Sequence, residues 1–137
     1  MLTRLLLAGF AITYGFGFAA IRANPQAVDG FEQFFSEFKI AVTTDDKDKL
    51  ISMISFDDFT WEGGDLGQLR TKEEFLEDYD LMFTKNIKGE IAKGKPEKRA
   101  NGSYDIVWHS RQEEYSLFFS PQKDGTYKFS GLTEEPY

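Results

Sequence analysis

Apolar residues recur at helical spacing in three stretches of the first half of the chain. In the stretch 31–42, four phenylalanines and a valine fall on one face and polar residues on the other, which predicts a first helix. The stretch 43–56 predicts a shorter second helix, which Thr44 or Asp45 can cap by accepting hydrogen bonds from its free amides. These two segments form a helical N-terminal half with one strongly aromatic face.

The strongest local signal lies in residues 70–86. Thr71 and Glu74 have the spacing of a capping box, in which each side chain binds the other residue's backbone amide. A single helical face then collects five apolar residues: Phe75, Leu76, Tyr79, Met82 and Phe83. This segment predicts a third helix, with Tyr79 directed inward and Asp80 outward.

Elsewhere the apolar period is two, which is typical of strands. Residues 56–64 predict one short strand, and from residue 86 onward the pattern predicts four more. Two turn sequences separate them, Asn101 with Gly102 and the stretch 123–125. Helix, helix, short strand, helix and a four-stranded meander predict an α+β fold, with three N-terminal helices on one side of an antiparallel sheet.

The first 23 residues have the layout of a secretory signal peptide. Arg4 precedes an apolar run from Leu5 to Ile21, and a small residue suited to cleavage, Ala20 or Ala23, follows. We expect cleavage after Ala23, a single mature domain over 24–137, and a periplasmic or secreted location. An uncleaved membrane anchor is the alternative, since the apolar run is near the minimum length for a bilayer.

Composition narrows the function classes. The chain has no cysteine, which excludes disulfides, thiolate metal sites and a cysteine nucleophile. Its net charge is −7, and removal of Arg4 and Arg22 with the signal would make it more negative. Such a chain repels phosphate backbones and anionic lipids, so we expect neither nucleic-acid binding nor membrane binding after signal removal.

The order of elements, with the first-helix stretch FEQFFSEF and the third-helix stretch EEFLEDYDLMF, resembles the nuclear transport factor 2-like superfamily. The resemblance covers residues 29–133. It implies a strongly curved sheet in a cone-shaped barrel, a pocket at the open end, and a homodimer formed through the outer sheet face. The superfamily's ketosteroid isomerases use a tyrosine on the first helix and its dehydratases a histidine pair. This chain has phenylalanines on that helix and one histidine, so neither chemistry carries over.

Amphipathic aromatic residues are the best candidates for a binding site. They are more numerous than a small core requires, because the polar atom of each buried tyrosine or tryptophan needs a hydrogen-bond partner. A pocket for a small hydrophobic or ring-shaped ligand would explain the surplus. Ordinary core packing is the alternative for each of them. The six candidates are Trp61, Tyr79, Phe83, Tyr104, Trp108 and Tyr115.

Candidate catalytic residues are weaker. His109 is the sole histidine, and as a strand residue it should face away from Trp108, so neither a general base nor a metal ligand is favoured. The aspartates of 45–48 lack the spacing of a calcium loop. We therefore expect no cofactor, no metal and a non-catalytic domain that binds a small ligand or one exported protein partner. The alternative is a cofactor-free enzyme that uses Tyr79 and Asp57 for acid–base chemistry.

Overall fold

The computed structural model describes residues 30–62 and 68–136, without the side chains of Gln68 and Leu69. The predicted signal peptide and its cleavage positions lie outside the described residues. Within the described part of the chain, no helix is long and apolar enough to cross a membrane.

Five helices and six strands make up the described chain, which confirms the α+β class. The predicted count of three helices is wrong, because the third predicted helix divides into two at Asp78 and residues 85–93 form a further helix. The helices are α1 (Gly30–Thr43), α2 (Lys47–Ser52), α3 (Lys72–Glu77), α4 (Tyr79–Met82) and α5 (Lys85–Lys93). The strands are β1 (Thr60–Glu62), β2 (Gln68–Leu69), β3 (Glu97–Lys98), β4 (Tyr104–Ser110), β5 (Glu113–Pro121) and β6 (Tyr127–Pro136).

The strands form one sheet in the order β2-β1-β6-β5-β4-β3. Neighbouring strands are antiparallel except β1 and β6, which run parallel, so the prediction of a wholly antiparallel sheet is wrong at this pair. Gly131 on β6 allows the approach, because a Cβ there would lie 2.8 Å from the carbonyl oxygen of Thr60. The sheet is therefore mixed, and its cone-like curvature stays a prediction.

The predicted strand over residues 87–99 is also wrong in its larger part. Residues 85–93 form α5, and only Glu97 and Lys98 form a strand. The side chain of Thr84 accepts a hydrogen bond from the amide of Ile87 at 3.3 Å and so caps the helix. Ile87 and Ile91, one helical turn apart, are both buried. Apolar residues four apart fit either a strand or a helix, and packing against the core decides for the helix.

Two smaller details differ from prediction. The N-cap of α2 is Asp46, whose carboxylate accepts from the Lys49 amide at 3.0 Å, and not Thr44 or Asp45. Leu76, assigned to the buried face of the third helix, is 38% exposed. The Thr71–Glu74 capping box is confirmed, and so are both predicted turns, where Gly102 and Gly125 adopt positive φ angles.

The core lies between the sheet and α1, and it is made largely of aromatic rings. Phe38, Phe59, Phe119 and Phe129 are completely buried. Phe119 meets the ring of Phe38 edge-on, with centroids 5.2 Å apart, and lies 5.7 Å from the ring of Phe129. Such edge-to-face contacts add to the burial of apolar area. The aromatic face predicted for the first helix thus fills the interior next to the sheet.

Candidate functional site

The site is an open groove between α5 and the hairpin end of β4 and β5. Its volume is about 540 Å³. A smaller groove of about 260 Å³ continues from it along β4 and shares Glu90, Lys93 and Trp108 in its lining. The larger groove is lined by Thr84, Lys85, Asn86, Ile87, Gly89, Glu90, Lys93, Trp108, His109, Ser110 and Tyr115.

A stacked aromatic pair forms the sheet side of the groove. Trp108 on β4 lies directly opposite Tyr115 on β5, and their rings are 5.3 Å apart and 7° from parallel. Both side chains are half-buried and pack on the edge of the core. The alternation of β4 and β5 places them on the core-facing side of the sheet, together with Ile106 and Leu117. The pair therefore offers a flat apolar surface to the groove.

Two carboxylates surround the hydroxyl group of Tyr115. The hydroxyl lies 2.8 Å from Oε2 of Glu113 and 3.1 Å from Oε1 of Glu134. Because it has a single proton, it can donate a hydrogen bond to only one of these carboxylates at a time. Burial, together with the nearby Glu113 carboxylate, raises the pKa of Glu134 against the lowering effect of the Tyr115 hydroxyl. Burial and both carboxylates raise the pKa of Tyr115. Sequence reasoning missed Glu113 and Glu134, because only the pairing of β5 with β6 brings them together.

Positive charge lies on the helix side of the groove. Nζ of Lys93 forms an ion pair of 2.8 Å with Oε1 of Glu90, three residues earlier in α5. Lys85, also in the lining, is exposed and has no ion-pair partner among the described residues. The groove is thus apolar on the sheet side and cationic on the helix side.

The structure brings two of the six predicted site residues, Trp108 and Tyr115, to this groove. Phe83 and Tyr104 are buried in the core, and the Tyr104 ring is stacked on Phe31 at 3.6 Å. Trp61 is half-buried on β1, with the Arg70 guanidinium 4.7 Å above its ring. The sequence pattern could not separate these roles, because all six are aromatic residues on inward faces.

Tyr79, the sixth predicted residue, is buried and fully engaged. Its hydroxyl donates to Oδ1 of Asp45 at 2.8 Å, and the Lys88 ammonium binds the same oxygen. The Lys88 and Tyr79 hydrogen bonds lower the pKa of Asp45, while burial and the Asp45 carboxylate raise that of Tyr79. Asp57 is exposed on the surface. The structure therefore gives Tyr79 the partner Asp45, and not the Asp57 of the alternative enzyme.

His109 and Trp108 border the same groove although they lie on opposite faces of β4. The imidazole Nε2 lies 2.9 Å from Oε2 of Glu114, its cross-strand neighbour, whereas Trp108 stacks on Tyr115. Both residues reach the groove because it wraps around the end of the strand. Within the described residues, no three acidic or imidazole side chains come close enough to hold a metal ion.

Comparisons with known proteins found similar structures only. No family model matches the chain, and no curated protein matches it. A candidate ketosteroid isomerase from Shewanella frigidimarina is 11% identical over 77% of this chain and 94% of its own, with a TM-score of 0.47. A nuclear transport factor 2-like protein of unknown function from Shewanella oneidensis is 12% identical over 77% and 96%, with a TM-score of 0.48.

A third structure, named "Rd1NTF2_04 with long sheet", is 14% identical over 76% of this chain and 98% of its own, with a TM-score of 0.46. All three similarities have TM-scores below 0.5. At such identities and TM-scores they carry no argument about the ligand, the activity or the site residues of this chain.

Proposed function

We propose that this protein is a non-catalytic domain that binds a small ligand with a hydrophobic ring in the groove between α5 and the Trp108–Tyr115 pair. The observation that carries the proposal is this stacked pair, which is half-buried and lines an open groove. Phe119 and Phe129, two other rings on the inward side of the sheet, are completely buried in the core. A volume of about 540 Å³ lies within the usual range of small-molecule sites.

An exported location and a homodimer belong to the same proposal. The location is supported by the signal-like first 23 residues. The dimer is supported by the outer sheet face, where Val107 is 42% exposed and Phe118 is half-buried. Apolar side chains on a sheet face are suited to pairing with a second copy.

Native mass spectrometry of the mature protein, purified from its own host without detergent, tests these points together. We expect a dimer that retains a compound of a few hundred daltons per subunit. A bare protein would instead favour the alternative in which the domain serves a single protein partner. The mass of the processed chain reports the cleavage position in the same experiment.

A defined probe tests the groove itself. N-phenyl-1-naphthylamine is neutral, aromatic and fluorescent in apolar sites. We expect Trp108→Ala to weaken its binding by about tenfold, the equivalent of about 1.4 kcal/mol of lost ring contact. Trp61→Phe is the matched control and should leave the affinity unchanged, because Trp61 is not part of the groove lining. Equal effects of the two substitutions, with both variants folded by circular dichroism, would refute the assignment of the site.

A cofactor-free enzyme is the second candidate, now built on other residues than Tyr79 and Asp57. The arrangement that favours it is Glu134, whose pKa is raised and whose Oε1 lies 3.1 Å from the hydroxyl of Tyr115, a residue of the groove lining. A carboxylate whose pKa is raised is a stronger base, which suits it to accept a proton from a substrate. The assay is the exchange of α-protons of cyclohexanone in D₂O, followed by NMR. Exchange above the buffer rate that is lost in Glu134→Gln supports the enzyme, and no exchange by the wild type excludes it for this substrate.

A further inference from the structure

The charge around Trp108 is opposite in sign to that of the whole protein. The two connected grooves are lined by three lysines, Lys85, Lys93 and Lys95, and by one carboxylate, Glu90, among the described residues. The chain as a whole carries a net charge of −7. A cationic lining in an acidic protein attracts anions locally and repels them elsewhere on the surface.

An ion pair within the groove lining neutralises one of these lysines and leaves the others able to pair with a ligand. Lys93 and Glu90 neutralise each other across 2.8 Å. Lys85 and Lys95 are exposed and have no ion-pair partner among the described residues. The groove therefore presents net positive charge to a bound molecule.

The acidic residues near the aromatic pair are engaged with other side chains. Glu113 and Glu134 are drawn to the Tyr115 hydroxyl, and neither belongs to the lining of the described grooves. Glu114 is occupied by His109 on the other face of the sheet. A ring that lies on Trp108 thus has a carboxylate cluster at the Tyr115 hydroxyl end and a lysine at the α5 end, which orients a polar ligand.

We propose that the ligand is a planar ring compound with an anionic group, such as a carboxylate or a sulfonate, whose ring packs on Trp108 and whose anion pairs with Lys85. This inference rests on the proposed function, because it names the ligand class of the same groove. It adds a specificity residue, Lys85, that neither the aromatic pattern nor the fold resemblance contains. Lys85 acts by charge and leaves the ring contact to the aromatic pair.

Two probes with the same ring system separate the anion from the ring. They are 1-anilinonaphthalene-8-sulfonate and the neutral N-phenyl-1-naphthylamine, titrated into the wild type, Lys85→Gln and Lys72→Gln. Lys72, on α3, is exposed and is the matched control because it lies outside the groove lining. We expect Lys85→Gln to lower the ratio of sulfonate affinity to neutral affinity about fivefold, as expected for one exposed ion pair. Lys72→Gln should leave this ratio unchanged.

Salt provides a second measurement that does not depend on a substitution. Raising the ionic strength from about 0.01 M to about 1 M shortens the Debye length from about 30 to about 3 Å. Sulfonate binding by the wild type should weaken, while binding of the neutral probe should not. A ratio that is the same in wild type and Lys85→Gln would overturn the inference, and so would sulfonate binding that does not depend on salt.

The variants distinguish an error in the anionic ligand class from an error in the proposed ring-binding function. If Trp108→Ala weakens both probes but Lys85→Gln does not alter their ratio, the groove binds rings and the anionic class is wrong. If Trp108→Ala weakens neither probe, the proposed function itself is wrong, and the anionic class fails with it.

Discussion

Replacement of Gly131 by alanine tests the parallel pairing of β1 with β6. Gly131 lies opposite Thr60, and a Cβ at this position would be 2.8 Å from the Thr60 carbonyl oxygen and 2.8 Å from its Oγ1. The hydroxyl group can rotate away, but the backbone oxygen can move only if β1 moves. We therefore expect Gly131→Ala to push β1 away from β6 and to weaken the fold.

The sign of the effect distinguishes this reasoning from a general propensity argument. Alanine in a strand or helix interior is normally more stable than glycine by about 0.5–1 kcal/mol. Forcing extra volume into a close contact costs about 1–3 kcal/mol. The clash should prevail, with a net loss of about 1–2 kcal/mol. For a domain of about 100 residues, each kcal/mol corresponds to a decrease in Tm of about 4–8 °C.

Gly89→Ala is the matched control. Gly89 lies in the middle of α5, and a Cβ there would meet no atom within 4 Å. Alanine should raise the free energy of unfolding by about 0.5–1 kcal/mol through helix propensity. Urea and thermal unfolding, followed by circular dichroism at 222 nm, compare the two variants with the wild type. A Gly131→Ala protein as stable as Gly89→Ala would refute the close approach of β1 to β6.

Three further predictions concern single side chains. Tyr79→Phe should lower the free energy of unfolding by about 1 kcal/mol, because it removes the hydrogen bond to the half-exposed Asp45. Since the pKa of Asp45 is lowered in the folded protein, this difference between variant and wild type should shrink when urea unfolding is measured below about pH 4. A difference that grows in acid would contradict this prediction. The pKa of Glu134 is raised in the folded protein, so ionisation of this carboxyl group destabilises the fold as the pH rises. Glu134→Gln should therefore raise the Tm at pH 7, by the equivalent of about 0.2–1 kcal/mol, but not at pH 4. An equal gain at pH 7 and pH 4 would contradict repulsion between Glu134 and Glu113. Thr71→Ala should lower the free energy of unfolding by about 1 kcal/mol in urea titrations, because the N-cap of α3 is lost. Thr71→Ser keeps a capping hydroxyl and should be tolerated. An unchanged urea midpoint in Thr71→Ala would show that the cap does not stabilise the fold.

Local sequence determined the elements whose stability is also local. The capping box of Thr71 and Glu74, the Asn101–Gly102 turn and the aromatic face of α1 were all predictable, because caps, turns and helical faces depend on residues within a few positions of one another. The α+β class followed from the order of these elements.

Tertiary packing decided the features that join distant residues. The segment 87–99 carries apolar residues four apart, a spacing that fits a strand or a helix, and burial of Ile87 and Ile91 selected α5. The parallel partnership of β1 with β6 depends on Gly131 and Thr60, which are far apart along the chain. No local pattern contains either choice.

The candidate site divides in the same way. The sequence indicated that Trp108 and Tyr115 would face inward, since side-chain direction in a strand follows the period of two. It could not show that their rings stack beside α5, that Tyr79 is committed to Asp45, or that Glu134 joins Tyr115. These contacts depend on strand register and helix position, which the whole core sets, because a side chain's partner is fixed only when distant segments pack together.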